Sequence, residues 1–170
     1  MRYQLLIFSF AICTIAVATE EDRPVFVLVG PCLAVATLET ASELKESVWS
    51  SAESAWVPNV DQINEGLDYL KTPDGRQTIA MTAGEGIDML PWLEQWEQKR
   101  FQIYGLISHG ERYIYFDAIP LLTAPERKDP TLWLKRSISQ STADGGAAFW
   151  SYLYNYDQRK PIRSHRRPGS

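Results

Sequence analysis

Residues 101–119, FQIYGLISHGERYIYFDAI, decide the fold that the sequence predicts. Two runs rich in aromatic and β-branched residues flank His109-Gly110, a dipeptide typical of tight turns, so the stretch predicts a β-hairpin. Side chains of the second run alternate between two faces, with Arg112, Ile114 and Phe116 on one and Tyr113, Tyr115 and Asp117 on the other. Because both faces carry bulky groups, we expect the hairpin to lie within a larger sheet.

Further strands are predicted before and after this hairpin. An apolar run with β-branched residues at 25–30 precedes it, the runs 132–139 and 147–156 follow it, and a short edge strand is expected at 161–163. In the run 147–156, large aromatic side chains share one face, as Trp150, Tyr152, Tyr154 and Tyr156. The hairpin and the runs that follow it predict about four antiparallel strands.

Helices are predicted between the first strand and the hairpin. The first covers residues 42–56, where apolar side chains recur every four residues at Leu44, Val48, Ala52 and Trp56. The second begins after Asn59, which can cap it, and its apolar face carries Val60, Ile63, Leu67 and Leu70. A third, short helix is expected to open at Pro91.

One strand, two or three helices and then about four antiparallel strands predict an α+β fold with the helices packed on one face of the sheet. A chain of 170 residues fits one domain with a hydrophobic core of its own. Hydrophobic residues make up 45% of the chain and charged residues 22%, which excludes disordered, collagen-like and coiled-coil proteins.

The first 18 residues predict a secretory signal peptide. Arg2 supplies a positive charge, and the apolar run 5–18 is shorter than the roughly 20 residues that a membrane helix needs. Ala16-Val17-Ala18 is a typical cleavage site, so we expect cleavage after Ala18 and a secreted or periplasmic protein, with an uncleaved anchor as the alternative. The chain then divides into a signal peptide (1–18), one globular domain (19–158) and a basic tail (159–170).

Cleavage leaves Cys32 as the only cysteine, so the mature chain cannot form an internal disulfide. Cys32 lies in a largely apolar stretch, where a buried thiol that fills space is expected. A disulfide between two molecules is the alternative.

Charge is uneven along the chain. All 21 acidic residues precede the tail, and the tail contains five of the 17 basic residues, Arg159, Lys160, Arg163, Arg166 and Arg167. Such a tail could bind an acidic partner, lipid headgroups or nucleic acid, or fold back loosely on its own acidic domain. Because the protein is expected to be exported, we expect no nucleic-acid partner.

Three motifs occur in order between Trp56 and Asp157. They are the helix opening Trp56-Val57-Pro58 with Ile63, the hairpin Gln102-Ile103-Tyr104-Gly105 with Gly110, and the ending Asp144-Gly145-Gly146 with Tyr154-Asn155-Tyr156-Asp157. Together they resemble small secreted bacterial proteins of uncharacterised activity that have helices followed by an antiparallel sheet. The sequence departs from their pattern at Phe101, where Arg is expected, and at Arg159, where the basic tail replaces an Asn-Gly ending.

The resemblance implies a secreted domain and no particular activity. By analogy we expect a curved antiparallel sheet that cradles a helix, as in cystatins or the nuclear-transport-factor superfamily.

Catalytic and metal sites have no signature in the sequence. Two histidines, His109 and His165, with one cysteine cannot build a usual zinc site, and His109 is better interpreted as a turn residue. No G-x-S-x-G motif indicates a nucleophile. We therefore expect no metal and no cofactor, and the sequence favours a non-catalytic protein while leaving an enzyme open.

Aromatic side chains of the strands, with one aspartate before two glycines, are the candidate binding residues: Tyr104, Tyr113, Tyr115, Tyr154, Tyr156 and Asp144. If they face solvent, they form a platform for carbohydrate, peptide or protein; if they face the helices, they belong to the core. We expect Trp150 and Tyr152 in the core and leave Tyr154 and Tyr156 open.

These features favour an exported, non-catalytic domain that binds a protein or ligand in the bacterial envelope or outside the cell, as an inhibitor or immunity-type partner. One alternative is a nuclear-transport-factor-like enzyme that uses Tyr104, Asp117 or Asp144 as its acid or base in a pocket. Another is a structural component of the envelope. No transmembrane span is expected after cleavage.

Overall fold

A computed structural model describes residues 25–75, 99–120, 131–135 and 150–162. In chain order the elements are β1 (Phe26–Gly30), β2 (Leu33–Ala36), α1 (Leu38–Val48), β3 (Ser54–Trp56), α2 (Val60–Leu70), β4 (Lys99–Ser108), β5 (Glu111–Pro120), α3 (Leu132–Lys135), β6 (Trp150–Asn155) and β7 (Lys160–Ile162). None of the helices in these ranges is long and apolar enough to cross a membrane.

Seven strands form a mixed sheet around the hairpin of β4 and β5. The strand order is β1-β2-β4-β5-β6-β7, and β3 also pairs with β4. All pairs are antiparallel except β2 and β4, which run parallel with Leu33 opposite Phe101. The predicted α+β class is confirmed, although the sheet has more strands than expected.

The predicted hairpin is also confirmed. Its register runs from Lys99 opposite Pro120 to Ser108 opposite Glu111. The turn residues His109 and Gly110 have positive φ angles of 52° and 76°, the conformation whose twist matches a two-residue hairpin turn. Because β2 and β3 pair with β4 while β6 pairs with β5, the hairpin lies within a larger sheet, as expected.

Each face of the sheet has its own hydrophobic core. The α2 core combines Ile63, Leu67 and Leu70 of α2 with strand residues on one face, which include Phe101, Ile103, Phe116, Tyr152 and Tyr154. The α1 core combines Ala41 and Val48 of α1 with strand residues on the other face, which include Phe26, Tyr104, Leu106, Tyr115 and Leu153. The expectation that the helices share one face is therefore wrong, because β4 and β5 are apolar on both faces and each face needs a cover.

α1 differs from the predicted helix at both ends. The side chain of Thr37 caps the helix, which begins at Leu38 and ends at Val48. Trp56, expected on this helix, lies in β3 opposite Gly105 of β4. Pairing with β4 satisfies the backbone of residues 54–56, and the spacing of apolar residues carries no information about that long-range pairing.

α2 begins after Asn59, as predicted, and a reciprocal capping box fixes its start. Asn59 Oδ1 accepts a hydrogen bond from the Gln62 amide at 3.0 Å, and Gln62 Oε1 accepts one from the Asn59 amide at 2.8 Å. Ile63 and the leucines of its apolar face are buried, whereas Val60 is 42% exposed. The helix is therefore confirmed, with Val60 at its exposed first position.

Two further elements differ from the sequence-based expectation. β2 is not predicted; it follows a short turn in which Cys32 is free and half-buried. Residues 132–135, predicted to begin a strand, form α3, and Trp133 is buried in the α1 core. β6 and β7 confirm the predicted strands near 147–156 and 161–163 within the described residues.

Other predictions fall outside the described residues. They concern the signal peptide, the helix opening at Pro91, the turn at Asp144 and the tail beyond Ile162. The division into residues 1–18, 19–158 and 159–170 therefore stays a prediction.

Candidate functional site

The tyrosines predicted to bind ligands do not share one surface. Tyr104, Tyr113 and Tyr115 belong to the α1 core, whereas Tyr154 belongs to the α2 core on the opposite face. All four are at most 6% exposed, while Tyr156 is half-buried at the margin of the α2 core. Asp144 lies outside the described residues. Among these candidates, Tyr156 is thus the described residue that reaches the surface.

Ring packing accounts for the burial of the strand tyrosines. On the α1 core face, the Tyr104 ring lies edge-on to Phe26 at 5.5 Å and to Tyr115 at 6.0 Å between centroids. On the other face, Tyr154 lies 6.3 Å from Tyr152. The expectation that Tyr152 is core is confirmed, and Tyr154, which the sequence leaves open, is core as well.

The surface around Tyr156 contains a three-membered cluster of Trp56, Arg112 and Tyr156. The guanidinium carbon of Arg112 lies 5.6 Å from the Trp56 ring and 4.9 Å from the Tyr156 ring. The two ring centroids are 5.9 Å apart. A cation against two aromatic faces gains from both ring quadrupoles, so the three groups stabilise one another's positions.

Asp157 fixes Arg112 in this position. Its Oδ1 accepts hydrogen bonds from Arg112 Nε at 3.0 Å and Nη2 at 2.5 Å, and its Oδ2 accepts one from the Arg112 amide at 2.7 Å. These bonds hold the pKa of Asp157 below its usual range and raise the pKa of Arg112. Because the side chains are 43% and 31% exposed, solvent screens the pair and its main effect is to orient Arg112.

Trp56 is held by the backbone of the hairpin. Its indole N–H donates to the carbonyl oxygens of Leu106 at 3.1 Å and Tyr113 at 3.2 Å. A Cβ on Gly105, which lies opposite Trp56, would collide with the Trp56 carbonyl oxygen and lie 2.8 Å from Pro58 Cδ. The glycine therefore lets β3 approach β4 closely enough to place the indole.

Glu111 anchors the turn that follows β6. Its carboxylate accepts hydrogen bonds from the Tyr113 hydroxyl at 2.8 Å, from Asn155 Nδ2 at 2.7 Å and from Gln158 Nε2. These bonds, that from Gln158 foremost, lower the pKa of Glu111. Burial, and next the bond to Glu111, raises the pKa of Tyr113 to about 12. The network ties the turn carrying Tyr156 to the start of β5.

Two exposed valines follow Trp56 by one and four positions in the chain, and we define the hairpin-end patch as Trp56, Val57, Val60, Arg112 and Tyr156. Val57 is 52% exposed and Val60 is 42% exposed. Trp, Tyr and Arg are the residue types enriched at the energetic centres of protein interfaces, where positions fixed in advance reduce the entropy cost of binding. The patch offers apolar contact and oriented donors, which suits binding.

Polar side chains also line up within the α1 core. Gln102 lies opposite Asp117, and Asp117 lies opposite Ser151 on the next strand. Gln102 and Asp117 are at most 2% exposed, and Gln102 Nε2 donates to the Trp133 carbonyl oxygen at 2.6 Å. The structure thus brings Tyr104 and Asp117, two candidate acids or bases, to one face of the sheet, where both are buried; the catalytic role stays a prediction.

Within the described ranges, no three His, Cys, Asp or Glu side chains are placed to hold a metal ion. His109 lies in the hairpin turn, as expected, and its Nδ1 is 3.7 Å from Glu53 Oε1. Both side chains of this pair are more than half exposed, so the contact contributes little to stability.

No family model, curated protein or solved structure matches this chain. The resemblance to small secreted proteins and the analogy with cystatins and nuclear transport factors therefore stay predictions.

Sequence patterns do not predict Trp56 and Arg112 as site residues. Helical spacing predicts Trp56 on a helix, and alternation predicts only the strand face of Arg112. They meet Tyr156 through pairing of β3 with β4 and of β5 with β6, contacts that join residues more than 30 positions apart. One usable signal was present: Arg112 shares its strand face with Ile114 and Phe116, and an arginine on an otherwise apolar face indicates a partnered cation.

Proposed function

We propose that this protein is an exported, non-catalytic domain that binds a partner protein through the hairpin-end patch. The supporting observation is the position of Arg112, which Asp157 holds against Trp56 and Tyr156 while 43% of its side chain stays exposed. An inhibitor or immunity-type role fits such a surface, because these proteins act by binding alone.

The patch is ordered before any partner arrives. Arg112 has two side-chain hydrogen bonds to Asp157, and the Trp56 indole has two to backbone carbonyls. Freezing a flexible side chain costs about 0.5–1.5 kcal/mol on association. The cost is largely met in the free protein, so contacts to these side chains contribute more of their energy to binding.

The chemistry of the patch defines the partner's complementary surface. In Arg112, Nε and one N–H of Nη2 donate to Asp157, which leaves the second N–H of Nη2 and the N–H groups of Nη1 to donate to a carbonyl or carboxylate of the partner. Val57 and Val60, one and four positions after Trp56 in the chain, present exposed apolar surface. We therefore infer a partner that sets an apolar or aromatic side chain next to a hydrogen-bond acceptor.

Export is part of the proposal and is supported by the sequence. The apolar run 5–18 followed by a cleavage-type site is what signal peptidase recognises, and the mature chain would have one cysteine, Cys32. The resemblance to secreted bacterial proteins points in the same direction. A mature N-terminus at Thr19, measured by mass spectrometry of the protein from its native host, tests this part.

Matched substitutions at two helix starts test the binding site. Val60 and Leu38 are each the first residue of an 11-residue helix, and they are 42% and 52% exposed. Aspartate is favourable in the first turn of a helix, so Val60→Asp and Leu38→Asp both preserve the fold. Only Val60→Asp places a charge in the hairpin-end patch.

The readout is co-purification of a stoichiometric partner with the tagged protein from its native envelope. We expect the wild type and Leu38→Asp to recover the partner equally and Val60→Asp to recover at least about tenfold less, as expected for loss of more than about 1.4 kcal/mol at an interface centre. Equal recovery with both variants, or no partner across several growth conditions, contradicts the proposal.

A further inference from the structure

The two edges of the sheet differ in their protection against pairing with another strand. β7, at one edge, has the sequence Lys160-Pro161-Ile162, and lysine and proline are the residues that natural edge strands use to block further pairing. β1, at the other edge, has the sequence FVLVG and contains neither a charge nor a proline. Because β1 lacks these blocking residues, its apolar edge can pair with another strand.

The phase of the β1–β2 ladder shows which backbone groups face outward. Val25 C=O accepts a hydrogen bond from the Thr37 amide at 3.0 Å, so Val25 points its carbonyl toward β2. Hydrogen-bonded residues alternate along an antiparallel ladder, so Val27 also faces β2. The N–H and C=O groups of Phe26 and Leu28 therefore face away from β2, where no described strand pairs with them.

Side chains of β1 are accessible on both faces of the sheet. Val27 is 54% exposed and Leu28 is 51% exposed, and consecutive strand residues point to opposite faces. With more than half of each side chain exposed, these two residues are not covered by α1 or α2 as the residues of β4 and β5 are. An incoming strand can thus contact apolar side chains above and below the sheet as well as the backbone between them.

The accessible part of this edge is short and symmetric. On its N-terminal side, the Val25 amide donates to the Leu134 carbonyl oxygen at 2.8 Å, so α3 closes that end. On its C-terminal side, the register shifts between Leu28 and Gly30, which interrupts regular pairing. What remains is residues 26–28, with outward hydrogen-bonding groups on either side of Val27.

We propose that β1 pairs with β1 of a second copy of this chain, antiparallel and about a twofold axis at Val27. Phe26 then exchanges two hydrogen bonds with Leu28 of the second copy, and Leu28 exchanges two with its Phe26. The two Val27 side chains meet at the axis as a pair without mutual hydrogen bonds, where side chains approach most closely. The contact is isologous, so it closes at two copies.

The short, bounded edge favours a second copy over a longer foreign strand. A longer strand would reach α3 at one end and the register shift at the other, whereas the twofold pairing uses only residues 26–28. β1 carries no charge, so the strand itself adds no repulsion at the axis. A contact of this size lies below the area of standard stable interfaces, about 1,200–2,000 Å², so the dimer is weak and concentration-dependent.

Opposite charges at the axis test the pairing. Sedimentation equilibrium is measured on protein purified after expression of the complete chain, with reductant present so that Cys32 cannot link copies. We expect the wild type to shift from monomer toward dimer between about 10 µM and about 1 mM, the regime of weak interfaces. Val27→Asp and Val27→Lys should each stay monomeric, and a 1:1 mixture of the two should recover the dimer.

Val57 provides the matched control, because it is also a valine and is 52% exposed against 54% for Val27. Val57→Asp and Val57→Lys should dimerise as the wild type does. A monomeric wild type up to about 1 mM, a mixture that stays monomeric, or equal loss in the Val57 variants overturns the proposal. None of these outcomes bears on the partner that the hairpin-end patch binds.

A measurement on the unaltered chain covers the case in which the Val27 variants fail to fold. Amide hydrogen exchange of the wild type should slow at Phe26 and Leu28 as protein concentration rises, since only their amides are engaged by the second copy. The Val27 amide, which faces β2, should be slow at every concentration. Exchange at Phe26 and Leu28 that is independent of concentration overturns the proposal.

Discussion

Tyr152 and Tyr154 lie side by side on one face of β6. Of their two hydroxyl groups, that of Tyr154 has a hydrogen-bond partner among the described residues and that of Tyr152 has none. The rings are 6.3 Å apart and both side chains are 2% exposed. The Tyr154 hydroxyl donates to Glu65 Oε1 at 3.0 Å. Two equally buried tyrosines therefore make opposite contributions through their hydroxyl groups.

Tyr152→Phe should raise the free energy of unfolding by about 1 kcal/mol, because it removes a buried, unsatisfied hydroxyl and keeps the ring. Tyr154→Phe should lower it by about 1–2 kcal/mol, since it removes a hydrogen bond to a carboxylate. Urea denaturation followed by circular dichroism at neutral pH measures both. A loss of stability in Tyr152→Phe would show that its hydroxyl is bonded after all.

Gly105→Ala should lower the free energy of unfolding by about 3 kcal/mol, because the new Cβ meets backbone that cannot move without separating β3 from β4. Gly110→Ala is the control: its Cβ meets nothing within 4 Å, and its positive φ of 76° alone should cost about 1 kcal/mol. Urea denaturation compares the two. Equal losses would mean that close approach to Trp56 is not what requires Gly105.

Acid should destabilise the hairpin end at a defined pH. Hydrogen bonds from Gln158 to Glu111 and from Arg112 to Asp157 lower both carboxyl pKa values in the folded protein. Their stabilising contributions are complete above the unfolded values, about 4.3 for Glu and 3.9 for Asp, and are lost as pH falls through the lower folded values. We expect the effect of these two groups on the Tm of the protein to be constant from about pH 5 to 7. Below about pH 4, the Tm should fall as their stabilising contribution is lost.

Charge-neutral variants test this assignment. Glu111→Gln and Asp157→Asn should each lower Tm at pH 7 and approach the wild type in strong acid, where the wild-type carboxyls are also neutral. Thermal unfolding at a series of pH values measures the difference. A Tm difference that stays the same across the series would assign the effect to packing and not to charge.

Alkali should act through the buried tyrosines. Burial raises the pKa of Tyr113 to about 12 and raises the pKa values of Tyr152 and Tyr154 as well. The folded state holds these protons more tightly, so the stabilisation is complete below the unfolded value of about 10 and is lost as pH rises through the folded values. We expect their tyrosinate absorbance to appear only above about pH 11, together with unfolding. Ionisation of these three tyrosines near pH 10 in the folded state would contradict this.

Local signals predicted the parts of the fold that depend on local chemistry. Asn59 and Gln62 cap α2 in the predicted place, because a capping box is formed by neighbours in sequence. His109-Gly110 placed the hairpin, because two successive positive φ angles favour few residue pairs. In both cases the residue type determines the backbone conformation directly.

Long-range pairing determined the parts that the sequence did not predict. Ala52 and Trp56 continue a helical spacing, but the backbone from Ser54 to Trp56 pairs with β4. Residues 132–135 have the composition of a strand and form a helix that buries Trp133. For the same reason, sequence patterns do not predict the hairpin-end patch, since Trp56, Arg112 and Tyr156 come together only once the sheet has formed.

The parallel pairing of β2 with β4 has a consequence for the order in which the chain can fold. Leu33 lies opposite Phe101, and α1, β3 and α2 lie between the two strands in the order of the chain. During synthesis, β1 and β2 emerge well before β4, the strand with which β2 pairs. A nascent chain that ends after α2 should therefore keep an apolar hairpin exposed, and stable structure should appear only once residues 99–120 have left the ribosome.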